Sequence, residues 1–354
     1  MLKKRSTILL LLLTLFAASC SDNNGNSPEP IESASVFMTN EGNFGDSNGM
    51  INSYDPQTGK SIQKAFENIN GRPFAGIIQD SDVHGDRMYL AANKVDKIEI
   101  VNRKTLESIN TIELSSSPVS VEVLDDATAY IGMIDGTISV LDLSTEKITK
   151  TLEGFNSPRD IVQVGGNIYV SNNGFGTANT LSVIDADSFT KSGAVTVGAG
   201  PSEMIVDSEN RIWLVCNGKA SFDGSSVEEP GSLYVIDGEA GTVTASITEG
   251  IAADGSAITK RLALDEENGT AYLINDGVSV IDMNTYQVKD KIIDAGNFSA
   301  IGYFPLQDRL YLGDKRGLNG YGQTGKGFVY TLEGAVVDSF QAGIAPRDIY
   351  FITE

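Results

Sequence analysis

Histidine occurs once in 354 residues, as His84, and cysteine twice, as Cys20 and Cys216. A single imidazole excludes multi-histidine metal centres and confines any Ser-His or Cys-His nucleophile pair to one address. Two cysteines give neither a disulfide framework nor zinc-ligand spacing. Cys216 lies in the apolar run 211–216 and reads as a buried thiol. Basic residues are scarce, 26 Lys and Arg against 47 Asp and Glu, for a net charge of −21. A chain this acidic repels polyanions, which argues against nucleic acid as a ligand and disfavours docking on anionic lipid. The apolar run 8–16 is too short for a transmembrane helix, and no later run approaches its length. No segment carries an apolar i, i+3, i+4, i+7 stripe over three turns, so helix is expected to be nearly absent.

What is present begins with an export signal. Lys3, Lys4 and Arg5 precede an apolar run, residues 8–16, which ends in Ala17-Ala18-Ser19-Cys20. This pattern reads as a secretory signal peptide over residues 1–19. Cys20 resembles the lipobox cysteine of bacterial lipoproteins, which implies a lipidated N-terminus and anchorage to a membrane. Loss of the three basic residues would leave the mature chain at −24. Residues 20–34 are polar and rich in Asn, Ser and Pro, a flexible tether. The acidic, Asn-rich start Ser21-Asp22-Asn23-Asn24 resembles a surface-export signal, which implies the outer face of an outer membrane.

The rest of the chain repeats one sentence. Apolar runs that stop on a polar residue, of the type SVID, recur at 52–55, 99–102, 139–142, 182–185, 233–237 and 279–282, with a degenerate copy at 327–331. A small residue followed by proline and an apolar run recurs at Arg72-Pro73, Ser117-Pro118, Ser157-Pro158-Arg159, Gly200-Pro201 and Ala345-Pro346-Arg347. Two repeats, near 259–262 and 296–301, lack the proline. Runs of the type IYVSN form a third series. Period-2 runs bounded by Gly, Asn and Asp are antiparallel strands. Four strands in a unit near 45 residues, seven times over, predict an all-β, seven-bladed β-propeller over residues 35–354. The last run, Pro346-Arg347-Asp348-Ile349, copies strand A of a blade, while the first, 36–40, is B-like. The C-terminal strand is therefore expected to close the ring by joining the N-terminal blade.

The loops between strands B and C are long and share Gly, Asn and an aromatic. Asn40, Asn93, Asn172, Asn217 and Asn275 end five B strands, and Asp314 and Met133 end the other two. Asn tolerates left-handed backbone and bonds its own chain, so turn chemistry explains these positions. A ring of amides facing one ligand explains them as well. Asn43, Phe44, Phe175, Phe222 and Tyr321 complete the candidate site, the aromatics covering apolar parts of a ligand or packing the loops. Arg159, with Arg72 and Arg347, is placed at the channel mouth. A lactonase- or quinoprotein-like enzyme would need several acids at the starts of the inner strands, and none is apparent. The expectation is a binding protein without a cofactor, with an adhesion or scaffolding propeller as a further possibility.

Three other patterns are weak. Residues 320–327 fall one residue short of a P-loop and precede no helix. The G-x-G-x-x-G within them lacks a βαβ context. Asp80-x-Asp82-x-His84-x-Asp86 alternates oxygen donors as calcium loops do, in what reads as an A–B turn on the far face.

Asn40-Glu41-Gly42-Asn43-Phe44-Gly45, the SVID strands and the sevenfold pattern together resemble YncE-like propellers, and more narrowly surface lipoproteins of the DUF5074 kind. That resemblance implies capture of cobalamin, another corrinoid or an iron–siderophore chelate for a TonB-dependent outer-membrane transporter.

Overall fold

The computed structural model describes residues 35–221, 225–255, 260–316 and 322–352. The expected signal peptide and tether, with Cys20, lie outside them, as do Phe222 and Tyr321. Among the described residues are seven four-stranded antiparallel sheets arranged as the blades of a ring. Blade 4 shows the plan: A is Pro158–Val164, B Asn167–Asn172, C Thr180–Asp185 and D Thr190–Thr196. Blades 2 to 7 follow in chain order. Blade 1 takes B, C and D from the start of the chain and A from its end, because Pro346–Ile352 pairs antiparallel with Ser35–Asn40.

Alternation along each strand sends side chains into two different seams. In Arg211–Cys216, Ile212, Leu214 and Cys216 join the apolar cluster between blades 4 and 5, while Trp213 and Val215 join that between blades 5 and 6. Seven such clusters lie in the seven seams. The core is therefore a ring of contacts between blades rather than one central mass. Burial pushes the Cys216 thiol up to about 12, so it stays an inert thiol.

The SVID mark is a turn device. Asp142, Asp185, Asp237 and Asp282 each accept the backbone N–H of a residue two or three further on, which closes the C–D turn. The turn also needs a left-handed residue four after the Asp. Gly59 and Gly241 supply it without strain, and Glu146, Phe189 and Tyr286 adopt it as ordinary residues. In blades 2 to 7 the C–D pairing carries a bulge, which twists the exposed D edge away from further pairing.

Blade 1 departs from the plan. Its D strand is only three residues, Lys60–Ile62, and the helix Ala65–Asn70 follows. Phe66 and Phe74, ring centroids 5.6 Å apart, fill the seam to blade 2. The Arg72-Pro73 pair thus precedes strand A of blade 2, which starts at Ile77. Arg72 lies at the outer edge, bonded to Glu99 and Ser108, and not at the channel mouth where the proline pattern placed it.

A loop-face site and a carboxylate-lined channel

Strand A enters each blade on the face that carries the D–A and B–C loops. The A–B and C–D turns form the other face. The sequence-predicted asparagines all lie on the loop face, and all five are buried. The Asn40 amide donates to the Met38 carbonyl at 3.0 Å and to Asn52 Oδ1 at 2.8 Å, and its Oδ1 accepts the Gly343 N–H at 2.8 Å. Asn172 accepts the Asn156 N–H and donates to Ser182 Oγ. Asn275 accepts the Ala252 N–H and donates to the Gly250 carbonyl. Asn93 donates to the Pro118 carbonyl of the next blade. These amides tie each B strand to an incoming loop, which is the turn chemistry the position allows. Asn217 differs: its Oδ1 accepts from Arg261, while its Nδ2 is buried without a partner among the described residues. Asn43 and Asp314 each accept a backbone N–H two residues on, from Gly45 and Arg316.

Two of the predicted aromatics stand out of the surface. Phe44 is 60% and Phe175 72% exposed. Each has a cation over its ring, Lys94 Nζ at 4.4 Å and the Arg159 guanidinium at 5.5 Å. Lys94 Nζ also donates to the Phe44 carbonyl. Phe175 has a φ of 54° inside the short 3₁₀ turn Gly174–Gly176. A bulky residue there is strained, and the turn is held by Asn173 Oδ1, which accepts the Gly176 N–H at 3.1 Å. The shared pattern is Phe beside glycines on a Gly/Asn loop, which is legible in the sequence.

The channel holds what the sequence reading did not find. Asp80 and Asp82 lie on the inner strand Ile77–His84, not in a turn. With Glu122, Asp160, Glu203 and Asp348 from four other inner strands they gather around one ammonium, Lys260. Its Nζ is 3.3 Å from Asp80 Oδ1 and 3.8 Å from Asp160 Oδ2. Acids do therefore converge on the inner strands. The readable signal was the residue two after the proline in Ser157-Pro158-Arg159-Asp160, Gly200-Pro201-Ser202-Glu203 and Ala345-Pro346-Arg347-Asp348, where the A–B register shifts.

Most of these carboxylates stitch blades together. Asp80 accepts the Val121 N–H at 3.0 Å, Asp82 that of Val123 at 2.6 Å, Asp160 that of Met204 at 2.7 Å and Glu203 that of Leu262 at 3.0 Å. Asp348 accepts from Ser81 Oγ at 2.7 Å. Inner strands share no ladder, so these bonds satisfy backbone groups that would otherwise face the channel. Burial pushes Glu203 up to about 8 and Asp82 and Asp160 up to about 6, with Lys260 pulling the other way. Burial opposes the charge on Lys260, but Asp160, Asp80, Asp348 and Glu203 outweigh it and raise its pKa. Among the described residues no group of three His, Cys, Asp or Glu is arranged to hold a metal ion. His84 lies on the turn face, 3.0 Å from Asp126 Oδ1, away from the channel acids.

A family model described as a domain of unknown function, DUF5074, matches residues 34–219, more than half of the chain. The chain belongs to the DUF5074 family. No curated protein matches it. Among solved structures, this DUF5074 protein is similar to a quinonprotein alcohol dehydrogenase-like protein from Bacteroides thetaiotaomicron, at 14% identity and a TM-score of 0.69, over 89% of this chain and 77% of that one. It is also similar to a protein from Lactobacillus plantarum, at 12% identity and a TM-score of 0.64, over 90% of this chain and 99% of that one. At these identities the likeness is one of fold.

Proposed function

We propose that this DUF5074 protein is a binding protein rather than an enzyme, and that its loop face captures a large, rigid metal chelate. Cobalamin or a related corrinoid is the first choice of ligand and a ferric siderophore the second. The observation that carries this is the pair of exposed rings, Phe44 and Phe175, each beside a cation and one held in a strained turn. A preformed apolar knob that costs strain to present is a contact surface in waiting. The channel carboxylates support binding over catalysis, because most are engaged in joining blades. A neutral, amide-rich chelate also suits a chain of charge −21 better than an anionic one.

In this reading residues 1–19 are a signal peptide and Cys20 carries a lipid anchor to the outer membrane at the cell surface, and the captured ligand passes to a TonB-dependent transporter. Ser35 begins its strand on the turn face, where it pairs with Ile352. A scaffolding role is favoured by two further exposed apolar residues on the loop face, Ile134 and Val227, at 56% and 59%.

Calorimetric titration with cyanocobalamin and with ferric catecholates tests the proposal. Saturable binding is expected, weakened about tenfold or more when Phe44 and Phe175 are both replaced by alanine, on the order of 1–2 kcal/mol. No heat and no thermal shift with either ligand would remove chelate capture, and a protein partner held through Ile134 and Val227 would replace it.

A further inference from the structure

Blades 1, 3, 4 and 5 start strand A on proline, at Pro346, Pro118, Pro158 and Pro201. Blades 2, 6 and 7 do not, and of these only 6 and 7 are neighbours. In blade 2 the Phe66–Phe74 pair fills the nearby seam. Between blades 6 and 7 the loop face instead opens into a cleft of about 120 Å³. A repeat that loses its rule at two adjacent units, and gains a cavity there, marks a place shaped for something other than folding.

The cleft is lined by Asp254, Arg261, Ile274, Asp276, Phe298 and Lys315, among others. Arg261 stands where the other blades carry an inner-strand acid such as Asp160 or Glu203, one residue before Leu262, whose N–H Glu203 accepts as Asp160 accepts that of Met204. It is 2% exposed and fixed by the Ile274 carbonyl at 2.9 Å, the Ala252 carbonyl at 3.1 Å and Asn217 Oδ1 at 3.3 Å. Behind it, Asn217 Nδ2 is a buried donor with no acceptor among the described residues, a group that costs free energy unless something supplies one. Lys315 Nζ lies 4.0 Å from Asp254 Oδ1. The two cations and two carboxylates of the lining balance. A free carboxylate entering would meet Asp254 and Asp276, and a free amine would meet Arg261 and Lys315. A neutral group that both donates and accepts fits both pairs.

We propose that this cleft is a subsite for a primary carboxamide, with room for an acetamide- or propionamide-sized arm of a larger ligand. The volume equals roughly four waters at their liquid share. The arm's carbonyl takes the donors on the Arg261–Lys315 side, its NH₂ the Asp254 and Asp276 carboxylates, and its methylenes lie along Phe298 and Ile274. The assignment rests on the loop face being the binding face and not on the ligand being a corrinoid.

Backbone-amide NMR of the ¹⁵N-labelled protein, titrated in parallel with acetamide, acetate and methylammonium, tests it. Acetamide is expected to give saturable shifts at Gly255, Gly296 and Lys315, with the two ions at least tenfold weaker. Lys315→Met and Asp276→Asn, both on loops, should each weaken acetamide at least fivefold and leave the thermal midpoint in place. Absence of saturable shifts at those residues, equal binding of either ion, or indifference to both variants would overturn the subsite. Should acetamide bind there while cyanocobalamin does not bind the protein at all, the subsite stands and the corrinoid assignment falls. Should cyanocobalamin bind Lys315→Met with undiminished affinity, no amide arm uses the cleft and the subsite assignment falls alone.

Discussion

Two residues four apart, Asn40 and Phe44, separate folding from function. Both belong to the motif that made the chain resemble its family. Asn40 is fully buried with its amide engaged on both sides, and Phe44 is mostly exposed. Replacing Asn40 by alanine is expected to lower stability by about 1–3 kcal/mol, because the Gly343 N–H and the Met38 and Met50 carbonyls lose their partner. Phe44→Ala should leave stability within about 0.5 kcal/mol. Urea unfolding of the two variants checks this, and an Asn40→Ala protein as stable as the parent would return the asparagine to the ligand site. The sequence made both positions visible but not the difference between them. Asn at a strand end looks the same whether its partner is a ligand or Gly343, which is 303 positions away. Glu146 offers a gain. It is exposed, with a φ of 56°, where the equivalent turns carry Gly59 and Gly241. Glu146→Gly is expected to stabilise by about 1 kcal/mol by relieving left-handed strain, read as a higher urea midpoint.

The inner strands show why the acids escaped the sequence reading. Strand runs, turns and their order are local and were legible, down to the copy of strand A at the chain end. The function of Asp80 or Asp160 lies with Val121 or Met204, 41 and 44 residues on, across a seam. An acid after proline reads as turn polarity until the ring brings five strands to one axis. Their titration has a measurable consequence. Glu203 at about 8, and Asp82 and Asp160 at about 6, hold protons in the folded state that the unfolded chain, near 4, has released. The folded protein therefore binds more protons than the unfolded one between pH 4 and 8. Stability is full below that window and falls as pH rises through it. The turn aspartates Asp142, Asp185 and Asp282 are lowered by their hydrogen bonds and act only below their ordinary range. Urea unfolding should thus show lower stability at pH 8.5 than at pH 5. Lys260→Met removes the cation that offsets the acids, and the fall should steepen, with a larger loss at pH 8.5 than at pH 5. Stability that rises over this interval would mean the channel acids are ionised throughout.

At the scale of the ring, one strand holds two seams. Pro346–Ile352 completes blade 1 by pairing with Ser35–Asn40. Ile352 packs in the seam between blades 1 and 2, while Ile349 and Phe351 pack in that between blades 7 and 1, where Phe351 stacks on Phe304 at 4.6 Å. Asp348 and Tyr350 add bonds to Ser81 of blade 2. A propeller whose core is divided among seams has no independent half, so loss of this strand is expected to act on the whole molecule. Removing residues 344–354 should lower the melting transition of all seven blades together, seen as one transition displaced far down or absent by circular dichroism. An unchanged midpoint would mean the ring is held without its closure. The same geometry permits a sharper test. Ser35 and Ile352 are paired neighbours, placed as Val164 and Asn167 are across the Gly165-Gly166 turn of blade 4. Joining Ile352 to Ser35 through two glycines turns the seam of blade 1 into an ordinary A–B hairpin, and the chain can then be opened at the exposed turn around Glu146. Such a permutant should melt in a single transition and keep whatever binding the proposed loop-face site gives the parent, since both new ends and the new hairpin lie on the turn face. A permutant that folds but loses ligand would show that the binding surface reaches the turn face, and the placement of the site on the loop face would have to be abandoned.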